Sequence, residues 1–204
     1  MAQILAYDTC FNSCSVSLKS GNDVTSIEAG ANTFQNLVPT INILTKNTSV
    51  ERIIITIGPG SFTGVRIGIA TAFGIQAVTN CKIFGCSTFD LFITQFLQEN
   101  DKFVNAEKQV VVILESKRRG LVYFQKTNLK KFYTDSSTHD EKALLKIDEL
   151  PKYTKDTVII TNIRNIYDTI TNKERFYIEK TSSKTLFNVP ENRLVSNIKP
   201  IYFS

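Results

Sequence analysis

The stretch ERIIITIGPGSFTGVRIG, residues 51–68, limits how this chain folds more than any other. ERIIITI is a continuous apolar, β-branched run, the pattern of a strand buried on both faces. Gly58, Pro59, Gly60 and Gly64 follow within seven residues, and a helical pattern then continues to about Val78. Strand, sharp turn and helix in direct succession is the unit from which α/β folds are built. Pro59 biases Gly58 toward an extended conformation. Gly58 and Gly60 allow backbone angles that other residues resist. Ser61 is a good N-cap for the helix that follows. Gly60 and Ser61 therefore sit where helix N–H groups point outward, a place suited to an anion. The stretch is not a Walker A loop, because no Lys-Ser/Thr follows the last glycine. It is not the dinucleotide fingerprint either, because G-x-G-x-x-x-G is one residue too long. Arg66 is the one cation close to it in sequence.

Within the helix, Gly64, Gly68 and Ala72 recur at i, i+4 and i+8 on one face. Interior helical glycines each cost about 1 kcal/mol relative to alanine. Close approach of another backbone is the usual compensation. Two readings stand: the stripe packs on the chain's own sheet, or it receives a helix of another protein. Phe34, Leu37, Val38, Ile41 and Leu44 form a second helical pattern over residues 33–46, interrupted by Pro39. The two helices together could form a docking face.

The first hundred residues read β-β-β-α-β-α-β-α. QILAYDT (3–9), SCSVSLK (13–19) and VTSIEA (24–29) form a meander, Ser/Cys-Val-Leu alternation marking the second as half-buried. CKIFG (81–85) is a fifth strand, and STFDLFITQFLQEN (87–100) is an amphipathic helix capped by Ser87. The expected product is a mixed five-stranded sheet with helices on its faces. A polar linker ends this unit, giving domains 1–105 and 106–204. In the second, KQVVVILES (108–116) and GLVYFQKT (120–127) are strands joined by a basic turn, KRRG. Residues 128–133 are read as a third strand, 156–161 as another and 163–172 as a helix, while 134–155 is polar and poorly patterned. The echo of the first half suggests structural duplication.

No window approaches the roughly 18 unbroken apolar residues of a membrane span. MAQILAYDTC lacks the basic start and the length of a secretory signal. The reading is a cytoplasmic protein with no membrane association. Cys10, Cys14, Cys81 and Cys86 follow neither zinc nor C-x-x-C redox spacing and read as reduced core thiols. The net charge of +5 is uneven. Residues 1–105 hold six basic and seven acidic residues, and residues 106–204 hold eighteen and twelve. A basic second half suits an anionic partner such as RNA, although lysines outnumber arginines 17 to 7.

Four blocks resemble one family. ILAYDTCFNSCSVSL is similar to the ILAIDTS…CSVAL opening of bacterial TsaB-type proteins, GPGSFTGVRIGIATAFGIQ to their GPGSFTG[VL]RIG signature, ILESKRRGLVYFQKT to their xxDARxxEVYxxxY segment, and PIYFS to their P-x-Y-L-R tail. The likeness spans the chain in order. It implies an actin/Hsp70/sugar-kinase-like fold of two related α/β domains. It also implies a dimerisation subunit of the machinery that makes threonylcarbamoyladenosine next to the anticodon of ANN-decoding tRNAs. The implied partners are a catalytic TsaD-type paralogue and a TsaE-type ATPase, with self-association through the same face and tRNA met only within the complex. The docking residues inferred on the two helices are Leu37, Ile41, Leu44, Val65, Gly68, Ile69 and Ala72. On that reading, Gly68→Leu or Ala72→Arg abolishes the heterodimer and leaves the monomer folded. The sequence departs from the family at Asn32-Thr33-Phe34-Gln35, which lacks the usual His, and at Glu115 and Lys117, which stand where the family has Asp and Arg.

No residue set reads as catalytic, and no metal or cofactor is required. His139 is the only histidine and reads as a surface loop residue, so neither a Ser-His-Asp triad nor an H-E-x-x-H site is available. The alternative is a degenerate ATP-dependent transferase or kinase-like enzyme. Asp8, Thr9 and Glu115, with Gly60 and Ser61, would then give weak ATP, ADP or Mg2+ binding at the interdomain cleft. A third reading is tRNA contact through Lys117, Arg118 and Arg119.

Overall fold

A computed structural model describes residues 3–11, 14–46, 48–134, 140–171 and 174–203. Eleven strands and five α-helices appear among them. In the first half these are β1 (Gln3–Asp8), β2 (Cys14–Ser20), β3 (Asp23–Gly30), α1 (Thr33–Thr45), β4 (Arg52–Thr56), α2 (Phe62–Thr79), β5 (Lys82–Cys86) and α3 (Thr88–Glu99). Helix α1 runs through Pro39 and is capped at its start by Asn32. The glycine stretch folds as its residues dictate. Ile57 leaves β4, Ser61 accepts a hydrogen bond from the Gly64 N–H, and α2 ends on Asn80 in the left-handed conformation. Gly58 takes φ +103° rather than the extended conformation expected of it. That positive φ favours glycine, and the C-terminal tail tightens the demand: a Cβ on Gly58 would lie 3.0 Å from the Ile201 carbonyl.

The second half contains β6 (Gln109–Glu115), β7 (Leu121–Asn128), α4 (Leu129–Thr134), β8 (Glu141–Lys146), β9 (Thr157–Thr161), α5 (Arg164–Thr169), β10 (Arg175–Tyr177) and β11 (Leu194–Val195). Two expectations are corrected. Residues 129–134 are a helix, because Leu129 and Phe132 turn into the core three residues apart while Asn128 accepts from the N–H groups of Lys130 and Lys131. The third strand is β8, inside the segment read as unpatterned. Its side chains are only half-buried at a sheet edge, so it carries little hydrophobic signal.

The first sheet runs β11-β5-β4-β1-β2-β3 and the second β10-β9-β6-β7-β8. In each, three antiparallel strands are extended by two parallel ones on the other side of the first strand. The duplication suggested by the sequence is therefore real at the level of strand order, in the arrangement expected of the actin/Hsp70/sugar-kinase-like fold. A division at residue 105 is crossed twice. Helix α3 packs Phe89, Phe92, Ile93 and Phe96 against Val110, Val112 and Val158 of the second sheet. In return, the 3-10 segment Ser183–Asn188 lays Leu186 on the first sheet beside Ala6 and Ile54, and β11 extends that sheet to six strands. The molecule is thus layered: α1 and α2, first sheet, α3 with the 3-10 segment, second sheet, α5. Its middle position makes α3 buried on nearly every side over its first two turns, although it reads as amphipathic.

Candidate functional site

Asp8 ends β1 and is fully buried. Its Oδ1 accepts from the Thr56 hydroxyl at 2.7 Å and from the Cys10 N–H at 3.0 Å, and its Oδ2 accepts from the Thr181 hydroxyl at 2.5 Å. Thr9 donates its hydroxyl to the Gly64 carbonyl at 2.9 Å. Both carboxylate oxygens are thus engaged by the chain itself, one of them by a residue between β10 and the 3-10 segment Ser183–Asn188. Glu115, proposed as the matching acid, ends β6 exposed, with its N–H bonded to Asn162 Oδ1 at 2.9 Å. The two sites differ sharply: one is a closed internal knot and the other an exposed strand end. No group of three or more His, Cys, Asp or Glu side chains able to hold a metal occurs among the described residues. His139 lies outside the described residues. The four cysteines are free and buried. Burial, with the neighbouring Asp8 charge second, pushes the Cys10 thiol up to about 12, and Cys14 is raised to about 11 for the same leading reasons. Such thiols stay protonated and are poor nucleophiles.

The start of α2 presses on the same knot. The Ser61 N–H donates to the Cys10 carbonyl at 2.5 Å. A Cβ on Gly60 would lie 2.5 Å from that carbonyl, and one on Gly64 would lie 2.0 Å from the Thr9 carbonyl. A Cβ on Gly68 would meet the Thr9 hydroxyl at 2.7 Å, and the Tyr7 hydroxyl donates to the Gly68 carbonyl at 2.8 Å. The stripe Gly64, Gly68, Ala72 is therefore the seat of α2 on its own sheet.

That geometry corrects the docking residues. Leu37, Ile41, Val65, Ile69 and Ala72 are buried in the first-half core with Leu5, Tyr7, Ile53 and Ile55, Gly68 is buried against β1, and Leu44 is only partly exposed. They face inward because the glycine stripe and the large aliphatic residues turn to the sheet together. Gly68→Leu and Ala72→Arg would consequently strike the fold rather than a surface.

The outward face is the opposite side of each helix. On α1 it carries Val38 (50% exposed), with Phe34 (80%) and Ile43 (56%) on its two flanks, about half a turn apart. On α2 it carries Phe73 (46%) and Val78 (83%), flanked by exposed Ala70 and Ala77 and by Gly74, which has open space around it. The spacing of Phe62, Arg66, Ala70, Phe73 and Ala77 on α2 contained this signal, offset from the glycine stripe. Arg66 is the only charged residue in either helix. It lies 3.6 Å over the Phe62 ring and donates to the Tyr202 hydroxyl at 2.9 Å. By length and composition, α2 is the one described helix apolar enough to cross a membrane. Its glycine face is seated on the sheet, and its remaining apolar surface is exposed.

A family description, "TsaD: tRNA N6-adenosine threonylcarbamoyltransferase", matches residues 29–195, which include the helix pair, the whole second sheet and strands β4, β5 and β11 of the first. The chain belongs to this family. Within it the chain is of the TsaB type. It is 29% identical to the tRNA threonylcarbamoyladenosine biosynthesis protein TsaB of Buchnera aphidicola subsp. Baizongia pistaciae, over 98% of this chain and 97% of that protein. It is 26% identical to the protein of the same name from Buchnera aphidicola subsp. Schizaphis graminum, over 77% of each. The solved structure of YeaZ from Pseudomonas aeruginosa has the same fold, with a TM-score of 0.77 and 18% identity over the whole of both chains.

Proposed function

We propose that this TsaB-type chain is the non-catalytic partner subunit in threonylcarbamoyl modification of the adenosine next to the anticodon in ANN-decoding tRNAs. It acts by pairing with the catalytic TsaD-type paralogue through α1 and α2. The observation that carries this reading is the outward face of those helices, with five large apolar side chains and a single charge at its margin. Exposed apolar surface of this kind marks interaction sites, and depletion of charge is characteristic of interface cores. The same face would serve self-association of the isolated chain, and a TsaE-type ATPase would join the pair. The protein would act in the cytoplasm, where the tRNA is. It would need no cofactor of its own. The burial of Asp8 supports this, since each of its carboxylate oxygens already accepts from the chain, from Thr56, Cys10 and Thr181.

The test is mass by light scattering of the chain mixed with its TsaD-type partner. The wild type should form a 1:1 pair. Phe73→Asp combined with Val38→Asp should weaken it at least a hundredfold, with the unfolding midpoint unchanged. An intact pair with the double variant would remove the docking face, and ATP turnover by the chain alone would remove the non-catalytic assignment.

A further inference from the structure

We infer that the cleft between the two halves receives an unpaired nucleotide of an RNA strand. The inference rests on the chain's role in a tRNA-modifying complex and adds a site to it. A cavity of about 320 Å³ opens between the start of α2 and the β6–β7 turn. It is lined by Lys117 and Arg118 of that turn, by Tyr123 of β7, by Phe62 of α2, by Tyr202 and Phe203 of the tail and, among the described residues, by no acidic side chain. That volume falls at the lower end of small-ligand sites, which begin at about 300 Å³. RNA strands are held by this pairing of groups: phosphates by Lys and Arg, and splayed bases by aromatic faces.

The aromatic wall is held in place. The Ile201 N–H donates to the Ile57 carbonyl at 2.8 Å, fixing the tail across the cleft. Phe203 then packs on Phe89 of α3 and on Tyr123 of β7 in the second half. Tyr202 remains half-exposed between them, its ring 5.6 Å from Phe62 and its hydroxyl held by Arg66. The basic wall is set by the turn. Gly120 at φ +77° and the Leu121 N–H bond to the Arg118 carbonyl place residues 117–119 at an exposed tip.

A strand fits better than a free nucleotide because the cations continue past the cavity. Arg119 lies on the same tip and Arg66 at the opposite rim. The bond from Glu115 N–H to Asn162 ties the tip to the next turn, where Arg164 stacks 4.3 Å over Tyr177. Glu115 borders this track but does not line the cavity. Lys117, Arg118, Arg119 and Arg164 follow the carboxyl ends of β6 and β9, where open α/β sheets bind ligands.

The experiment measures binding of an unmodified anticodon stem-loop by fluorescence anisotropy at several salt concentrations. It uses the full chain alone and the chain mixed with its TsaD-type partner. Lys117→Glu with Arg118→Glu should lower affinity at least tenfold and flatten the salt dependence by the amount two phosphate contacts supply. Tyr202→Ala should lower affinity for the stem-loop severalfold and leave affinity for a blunt RNA duplex unchanged. Both variants should still pair with the partner, so loss of pairing alone counts against the docking face and not against this site. If the wild-type pair does not form, the same comparison is read on the chain alone. Equal RNA binding by variant and wild type, no RNA binding by any wild-type sample, or displacement of the stem-loop by equimolar AMP would each overturn the inference.

Discussion

The two halves share a strand plan and differ in what covers it. Between β3 and β4 lies the 13-residue helix α1, whereas between β8 and β9 there is only a three-residue 3-10 turn, Ile147–Glu149. Between β4 and β5 lies the 18-residue α2, whereas the matching α5 has six residues. Strand order survives this shrinkage because each sheet is held by its own ladder and by a core of buried Val and Ile. The helices are where the halves diverge in use. In the first half a glycine face lets α2 sit so close to β1 that its other side stands proud as an apolar platform. In the second, Ile166, Leu150 and Tyr153 cover the sheet with short segments and, among the described residues, leave no comparable surface. The lesson is that the sheet carries the architecture while the crossover helices carry the specialisation.

The largest test of this contrast is Gly64→Leu. The first-half arrangement requires backbone-to-backbone contact at Thr9, so the substitution should cost more than about 4 kcal/mol and lose the folded state in urea unfolding. A folded variant of near wild-type stability would show that α2 is not pinned as described. Next is the joint between the halves. Arg193, buried, bonds Asp140 at 2.9 Å, lies 3.9 Å from Asp90 and stacks on Phe132. Arg193→Ala strands two buried carboxylates and should cost about 3–5 kcal/mol, with both sheets unfolding together.

A smaller effect is pH-dependent. Burial raises the pKa of Asp90 above the usual carboxylate value, against the opposing pull of Lys142, Ser87 and Arg193. The folded chain therefore holds this proton more tightly than the unfolded chain. The resulting stability is complete below the ordinary carboxylate pKa and drains away as pH rises through the raised folded value. Asp90→Asn should flatten the unfolding midpoint across that range, and an unchanged profile would assign the titration to another group. Smallest is Gly74→Ala, on the open face of α2, which should stabilise by about 0.5–1 kcal/mol. Destabilisation there would mean the platform is tighter than its geometry indicates.

The fold was legible wherever burial leaves a periodic trace. ERIIITI and KQVVVILES announced the two central strands, and the meander before Gly30 followed from alternation. β8 was not legible, because an edge strand with half-buried side chains has no such trace, and α4 was misread because six residues are too few to show a helical period. The site was half legible. The helix pair was found, but the faces were reversed. A glycine stripe offers no information on whether its close neighbour is the chain's own β1 or another molecule. The Asp8 knot depends on Thr181, a residue 173 positions away, and no local pattern could have supplied it.

The exchange of α3 for the 3-10 segment makes the molecule resemble two people, each holding the other's coat. Truncation after residue 105 would bare the phenylalanine face of α3 and at the same time strip Leu186 and β11 from the first sheet. Shrinkage of the second half can therefore proceed by shortening its helices, loop by loop, but never by discarding the half itself. A remnant kept as scaffolding is free to acquire a second employment, and its basic cleft is where such employment would begin.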